Sequence, residues 1–394
     1  MILLFAYGVR FTYGVFFTPM SDSLNLTSGT TSAVYSVSMI LEGIFSLISG
    51  RLTDRFGPRI VLSSSAMLVA IGYILMPLVH TSWQLFLVYG VLIGPGMGGI
   101  FVPVISTIAR WFISRRSLLT GAVGSAVGLG TLIFSPLESS LIRHFDWDRT
   151  FMIMGIVILV VVLAAAQFMK RDPSVRGLNP DGFSASAHQH RLSQQKTEFS
   201  FKQALRTREF WFIFVMILLF GYYSSSVNVH IVPQAENQGI SPGTAANILA
   251  TSGALLIVGR IILGALADRI GNRSIYVLGF SIATVFLLWI FFLKAEWAYF
   301  IFAAAMGICQ GGNGVAQSPL LASLFGLRSL GAIFGLSGLG FTLGASIGPF
   351  VTGRIFDLTR SYQTPIAISI AVSVAALVLA LLLRPAVRAP QTVK

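Results

Sequence analysis

"SGALLIVGRIILGALADRIGNR", residues 252–273, reads in two parts. From Leu255 to Ala267 every residue is apolar or glycine except Arg260. Then the charged residues Asp268, Arg269 and Arg273 arrive together, spaced G-x-L-x-D-R-x-G-x-R from Gly264. The first part is a helix suited to hydrocarbon, and the second is the charged turn that ends it. The same ten-residue pattern starts at Gly50 in "GRLTDRFGPRIVL", 214 positions earlier. Two more pairs share nearly that offset: "RSLLTGAVGSAVGLG" from Arg116 with "RSLGAIFGLSGLGFTLG" from Arg328, 212 apart, and Gly98-Gly99 with Gly311-Gly312, 213 apart. Three matches at almost one offset identify a duplicated unit.

Composition says where that unit lives. Of 394 residues 55% are hydrophobic and 10% charged, against about 25% charged in a soluble domain. Twelve apolar stretches, at 1–20, 30–50, 59–79, 83–111, 117–142, 150–169, 209–236, 243–266, 274–293, 297–325, 329–356 and 363–384, are long enough to span hydrocarbon about 30 Å thick as helices. Only helices or closed barrels satisfy their own backbone in lipid, and 39 glycines suit closely packed helices. The expectation is an all-α integral membrane protein of two six-helix bundles, 1–169 and 209–394. Residues 170–208, with eight basic and three acidic residues and no sustained apolar face, read as a linker between them. "FSFKQALRTREFW", 199–211, is expected to form a short surface helix leading into segment 7.

The net charge of +13 is an orientation signal, with no nucleic-acid partner expected. Twenty of the 27 Lys and Arg fall in even-numbered loops or the C-terminal tail, and five in odd-numbered loops. The positive-inside rule then puts both termini in the cytoplasm, and a bacterial inner membrane is the expected location. No cleavable leader is expected; segment 1 reads as short at its start, as if a few residues preceded Met1. Cys309 is the one cysteine, so no disulfide, metal site or cofactor is expected, and His188 and His190 in the linker read as incidental. A nucleophile with an adjacent base and a phosphate-binding Gly-Lys loop are both missing, which argues against an enzyme.

On the paired G-x-L-x-D-R-x-G-x-R loops, the chain resembles a major facilitator superfamily transporter along its whole length. "FTYGVFFTPMSDSLNLTSGTTSAVYSVSMI" (11–40), "IVPQAENQGISPGTAANILA" (231–250), "WFISRRSLLTGAVGSAVGLG" (111–130) and "FGLRSLGAIFGLSGLGFTLGASIGPFVTGRIFDLT" (325–359) are similar to the bacterial oxalate/formate antiporter and monocarboxylate transporter group. The resemblance implies a monomeric carrier of a small organic anion such as lactate, pyruvate or formate. It would work by alternating access, as a proton symporter or an anion exchanger. It also implies that segments 1, 4, 7 and 10 line a central cavity, that Asp54, Arg55, Arg59, Asp268, Arg269 and Arg273 form gating latches, and that Arg260 takes the place of the group's anion-binding arginine. Two departures narrow this. Oxalate exchangers carry a lysine in segment 11, which residues 329–356 lack, so a dianion is disfavoured. Animal carriers carry an acid four residues before the arginine, where this chain has Leu256.

The residues themselves support a polar site. An arginine facing lipid at mid-bilayer costs about 2.5–3.5 kcal/mol, so Arg260 should face protein or a watery cavity. Tyr7, Arg10, Tyr13 and Phe17 form an aromatic face around a second intramembrane arginine in segment 1. Gln310, Asn313 and Gln317 share a face of segment 10; Tyr223, Ser226 and His230 share one of segment 7; segment 4 offers Phe101 and a kink-forming Pro103. The expected substrate contacts are Arg260, Arg10, Tyr7, Tyr13, Phe101, Tyr223, His230, Gln310, Asn313 and Gln317. His230 and Glu42 are the proton-coupling candidates, Glu42 pairing with Arg10 or Arg110. Glu138 reads as interfacial. A multidrug or nitrate-type exporter or exchanger of the same fold is the alternative; segment 5 lacks the G-P-x-x-G-G signature of the former.

Overall fold

The computed structural model describes residues 1–112, 116–170, 199–293, 295–326 and 329–383. The linker and its histidines lie almost wholly outside them, as does the side chain of Arg110. Twelve helical spans follow in order. α1 is two pieces, Ile2–Phe11 and Tyr13–Ser23, bent by 45°. α2 is Ser28–Phe56 and α3 is Pro58–Ile74. α4 runs through Ser82–Leu85, a wide π-helical stretch Phe86–Ile93, Gly94–Gly98 and Phe101–Trp111. The run Arg116–Gln167 divides at Asp146, whose φ of 64° and ψ of 170° are not helical, into α5 (116–145) and α6 (147–167). α7 is Arg208–Glu236, α8 Pro242–Ile270, α9 Asn272–Phe292, α10 Glu296–Phe325, α11 Leu330–Thr359 and α12 Gln363–Leu382. The short helix ahead of α7 is Phe201–Leu205, capped by Ser200 and Gln203.

Local chemistry sets these boundaries. α2, α7 and α8 begin behind Thr27, Thr207 and Ser241, whose hydroxyls accept from the backbone three residues on. The second glycine of each duplicated loop ends a helix: Gly57 (φ 84°, ψ 161°) after α2 and Gly271 (φ 85°, ψ 151°) after α8. That backbone conformation is open to glycine almost alone. Pro103 has no N–H to offer the Gly99 carbonyl, and α4 breaks at Gly99–Ile100, one turn ahead of it. The break in α1 falls at Thr12, whose hydroxyl turns back onto the carbonyls of Gly8 and Val9.

Two separate apolar cores form, one centred in α1–α6 and the other in α7–α12. Between the halves, contacts gather toward one end. The Ser135 hydroxyl (α5) donates to the Ala246 carbonyl (α8) at 2.7 Å, and Ser36 (α2) donates to Ser346 O (α11) at 2.5 Å. Gly128 of α5 and Gly253 of α8 meet backbone to backbone. Asp357 at the end of α11 closes the rim, accepting from the amides of Ser28 (2.8 Å) and Gly29 (2.7 Å) at the start of α2. This is a carboxylate on the positive end of a helix in the other half. At the opposite, basic end, Gly121, Gly331, Gly335 and Gly338 each face open space. Among the described residues, the halves thus meet at one end and leave a cleft between them toward the end carrying Asp54 and Asp268.

Asp357→Asn keeps the shape and removes the charge. We expect it to favour opening of the sealed end by about 1–2 kcal/mol, roughly 5- to 30-fold. Spin labels on exposed Asp22 and Gln363 should then show a larger long-distance population. An unchanged distribution would mean that the carboxylate does not hold this rim.

Candidate functional site

Arg260 lies eight residues, about 12 Å, from Asp268 along α8, one turn nearer the basic end than Leu256, which meets Gly128 of α5. Its guanidinium projects between α5 and α10. A methyl group on Gly124 would overlap Nη1, and one on Gly314 would lie 3.6 Å from Nη2. Gly124 is what leaves room for it, whereas the Gly314 distance is an ordinary van der Waals contact. Its Nε is buried without a hydrogen-bond partner, and no carboxylate pairs with it among the described residues. A planar donor fork with no counter-charge among the described residues, facing α5 of the other half, is suited to a carboxylate from outside the chain.

Arg10 is in the opposite situation. It is 1% exposed and its Nε stands 3.4 Å from Oε2 of Glu42, the one ion pair among the described residues. Nη1 donates to the Tyr89 hydroxyl at 2.9 Å, and the guanidinium lies 4.4 Å from the Tyr35 ring centre. Tyr7 donates to Oε1 of Glu42 at 3.0 Å and packs edge-on to Phe101 at 5.8 Å; Tyr13 packs on Tyr35 and Tyr89. Five sequence candidates, Tyr7, Arg10, Tyr13, Glu42 and Phe101, therefore form one cluster inside the first half. Tyr89, central to it, comes from "FLVYGVLI", where no polar spacing marks it. The two arginines do not converge. Gly130 and Gly124 of α5 touch Gly8 and Arg260 respectively, about 9 Å apart along that helix, and Arg10 lies two residues beyond Gly8 toward the sealed end.

The second half disperses its candidates. Gln310 exchanges long hydrogen bonds with Asn228 of α7 (3.4 and 3.5 Å). Asn313 presses on Gly279 of α9, and Gln317 donates to Ser337 of α11 at 3.1 Å. Tyr223 is fully buried against Phe220 and Phe280. His230 belongs to the seal: Nε2 is 3.0 Å from the Pro349 carbonyl and 3.1 Å from the Ser32 hydroxyl, and Nδ1 is 3.4 Å from the Tyr362 hydroxyl. A carbonyl only accepts, so Nε2 carries the hydrogen and Nδ1 accepts from Tyr362. Counted from the sealed-end termini of α7 and α8, His230 and Arg260 lie at depths of about 9 and 27 Å, so they do not share one small ligand. One expectation needs correcting: Glu138 is not interfacial but 0% exposed, enclosed by α1 and α3.

At the basic end each motif ties its own half together. Arg59 donates to Gln167 of α6 at 2.6 Å, and Arg273 donates to the carbonyls of Ala380 and Leu381 at the end of α12. Arg55 lies over Phe56, and Asp54, Asp268 and Arg269 are exposed at the rim.

Comparison with known proteins agrees with this architecture. A family model described as Major Facilitator Superfamily matches residues 1–234 and 222–394. The chain is 25% identical over 334 residues to "Uncharacterized MFS-type transporter YhjX" of Escherichia coli, covering 84% of this chain and 80% of that one. It is 24% identical over 369 residues to Monocarboxylate transporter 13 of Bos taurus, covering 92% and 82%. It is 24% identical over 280 residues to the oxalate:formate antiporter of Oxalobacter formigenes, covering 71% and 64%. Among solved structures, a bacterial homolog of the human lysosomal transporter Spinster, in an inward-facing and occupied conformation, superposes with a TM-score of 0.76 at 15% identity over 97% of this chain and 94% of that one.

Proposed function

The chain belongs to the major facilitator superfamily, and on that premise we propose that it carries a small monocarboxylate across the membrane by alternating access, with Arg260 as the anion ligand. One observation carries this reading: Arg260 is a guanidinium deep in the cleft with no carboxylate of its own among the described residues. Relatives named for monocarboxylates and for oxalate and formate support the substrate class. The lack of a lysine in residues 329–356 favours one negative charge on the substrate. Lactate, pyruvate and formate are the first candidates.

The distribution of Lys and Arg puts the basic end and both termini in the cytoplasm, with a bacterial inner membrane as the location. The conformation described is then inward-open, and Asp54, Arg55, Asp268 and Arg269 stand where a latch would form when that end closes. The sealed end is held by Asp357 and by His230 with Ser32. In this reading Arg10 and Glu42 are a neutral pair in the cavity wall.

The test is uptake of labelled lactate into proteoliposomes, competed by pyruvate, formate, oxalate, nitrate and a lipophilic cation. Competition by the monocarboxylates alone supports the reading; competition only by nitrate or the cation overturns it. Gly124 gives a companion prediction. Gly124→Val fills the space of the Arg260 guanidinium and should weaken apparent affinity by about tenfold or more, a displaced charge-assisted hydrogen bond being worth about 1.5–3 kcal/mol. The melting temperature should stay near wild type, because the overlapping atoms are the free end of a flexible side chain. Unchanged uptake in this variant would separate Arg260 from the substrate.

A further inference from the structure

The interior of the first half holds a carboxyl that the anion site leaves unused. Glu138 of α5 is fully buried, and neither of its oxygens has a hydrogen-bond partner. Its polar neighbours are the Thr12 hydroxyl, at the break in α1, and the Tyr73 phenol of α3, with no cation beside it among the described residues. Tyr73 packs toward Tyr89 at 6.4 Å, Tyr89 accepts from Arg10, and Arg10 pairs with Glu42. Along this line Glu138 Oε1 and Oε2, Tyr73 Oη and Arg10 Nη2 are all buried and unpartnered. Buried orphans of this kind are rare singly and call for an explanation when they lie in a row.

Charge counting supplies one. The line contains two carboxyls and one arginine, so it is neutral only when it holds one proton. An ionised carboxylate with neither hydrogen bond nor counter-charge is strongly disfavoured. Glu42 has Arg10 and Tyr7, whereas Glu138 has no cation among the described residues and only the Thr12 hydroxyl and the Tyr73 phenol near it, so the proton sits on Glu138.

We propose that this half carries one exchangeable proton, held by Glu138 in the present conformation and by Glu42 after the conformation changes, with Arg10 the fixed cation that keeps all its own protons, and that anion transport is coupled to it. The proposal rests on the anion-transport reading of Arg260. Only O–H bonds change in the transfer, from the Glu138 carboxyl to the Glu42 carboxylate. Glu42, 14% exposed against 0% for Glu138, is the end from which the proton is released. Release leaves a net negative charge in the wall of the cleft, which disfavours an anion at Arg260; proton and anion therefore favour each other's binding.

The two sites share a moving element. α5 carries Gly124 against Arg260, and Ser135 and Ser139, which flank Glu138, donate to the carbonyls of Ala246 and Pro242 on α8. Opening the sealed end parts these contacts. It also draws α7 away from the outer piece of α1, where Gly14 packs on the carbonyls of Asn228 and Val229. A cavity of about 500 Å³ at that rim, lined by Asp22, Ser139, Arg143 and Glu236 among others, stops at Ser139, one residue from Glu138, and would give the proton its way in once the rim parts.

Infrared spectra of the purified full-length protein test the site without any substrate. We expect a protonated-carboxyl carbonyl band that shifts in D2O, is absent in Glu138→Gln and remains in Glu42→Gln. In proteoliposomes, labelled lactate should accumulate under an imposed inward proton gradient in wild type. In Glu138→Gln that accumulation should drop to the no-gradient level, while lactate exchange at equal pH persists, because glutamine mimics the loaded carboxyl. A band that survives Glu138→Gln, or gradient-driven accumulation that survives it, overturns the proposal. A wild type that moves no monocarboxylate defeats the substrate reading instead, and the band alone then decides whether Glu138 holds the proton.

Discussion

Arg260→Ala should abolish saturable uptake, and Arg260→Lys should lower apparent affinity by roughly 10- to 100-fold, since a charged hydrogen bond contributes about 1.5–3 kcal/mol. The alanine variant removes the only guanidinium in the cleft without an acidic partner among the described residues. Lysine keeps the charge but presents it as a point instead of a planar fork, so a bidentate carboxylate contact is lost. Folding should tolerate both changes, because no ion pair to Arg260 is broken. Initial rates against substrate concentration in proteoliposomes give the answer, with melting temperature as the control. Wild-type affinity in Arg260→Ala would sink the assignment, and a large loss of thermal stability in either variant would mean that Arg260 is a structural group.

What the sequence made legible follows from strong local signals. The two halves and the helical spans were readable because a span needs about 20 apolar residues and because the loops at Gly50 and Gly264 repeat. Arg260 stood out because one charge in an apolar run has few places to go, and its role as anion ligand is the proposal made above. The rest depended on neighbours that no helical wheel contains. Gln310, Asn313 and Gln317 share a face by spacing, yet they meet α7, α9 and α11 in turn, because α10 is enclosed on several sides. The break at Thr12 has neither proline nor glycine at its centre, so nothing announced it. Glu138 sits in "SPLESSLIRHF", which looks like the polar end of a span. Its burial comes from α1 and α3 closing over it, a tertiary fact.

Glu42→Met should be the most destabilising single change in the first half, at about 3–5 kcal/mol, because it leaves a buried arginine without its carboxylate. Arg10 cannot shed its charge, and at 1% exposure it cannot reach water. Arg10→Met should cost less, since Glu42 is partly exposed and can take up a proton. The double variant Arg10→Met/Glu42→Met removes both charges and keeps the volume, so it should be more stable than Glu42→Met alone. That is the behaviour of a pair whose members chiefly compensate each other. Glu138 sharpens the prediction. With Glu42 gone, it is the carboxyl left to balance Arg10, whose Nη2 is unpartnered. Adding Glu138→Gln to Glu42→Met should therefore lower the melting temperature further, although Glu138→Gln in the wild type should change it little. Thermal unfolding of these five variants and the wild type in one detergent measures all of these terms. If Arg10→Met/Glu42→Met is no more stable than Glu42→Met, the two residues do not compensate each other. If Glu138→Gln has the same small effect with or without Glu42, the two carboxyls do not share Arg10.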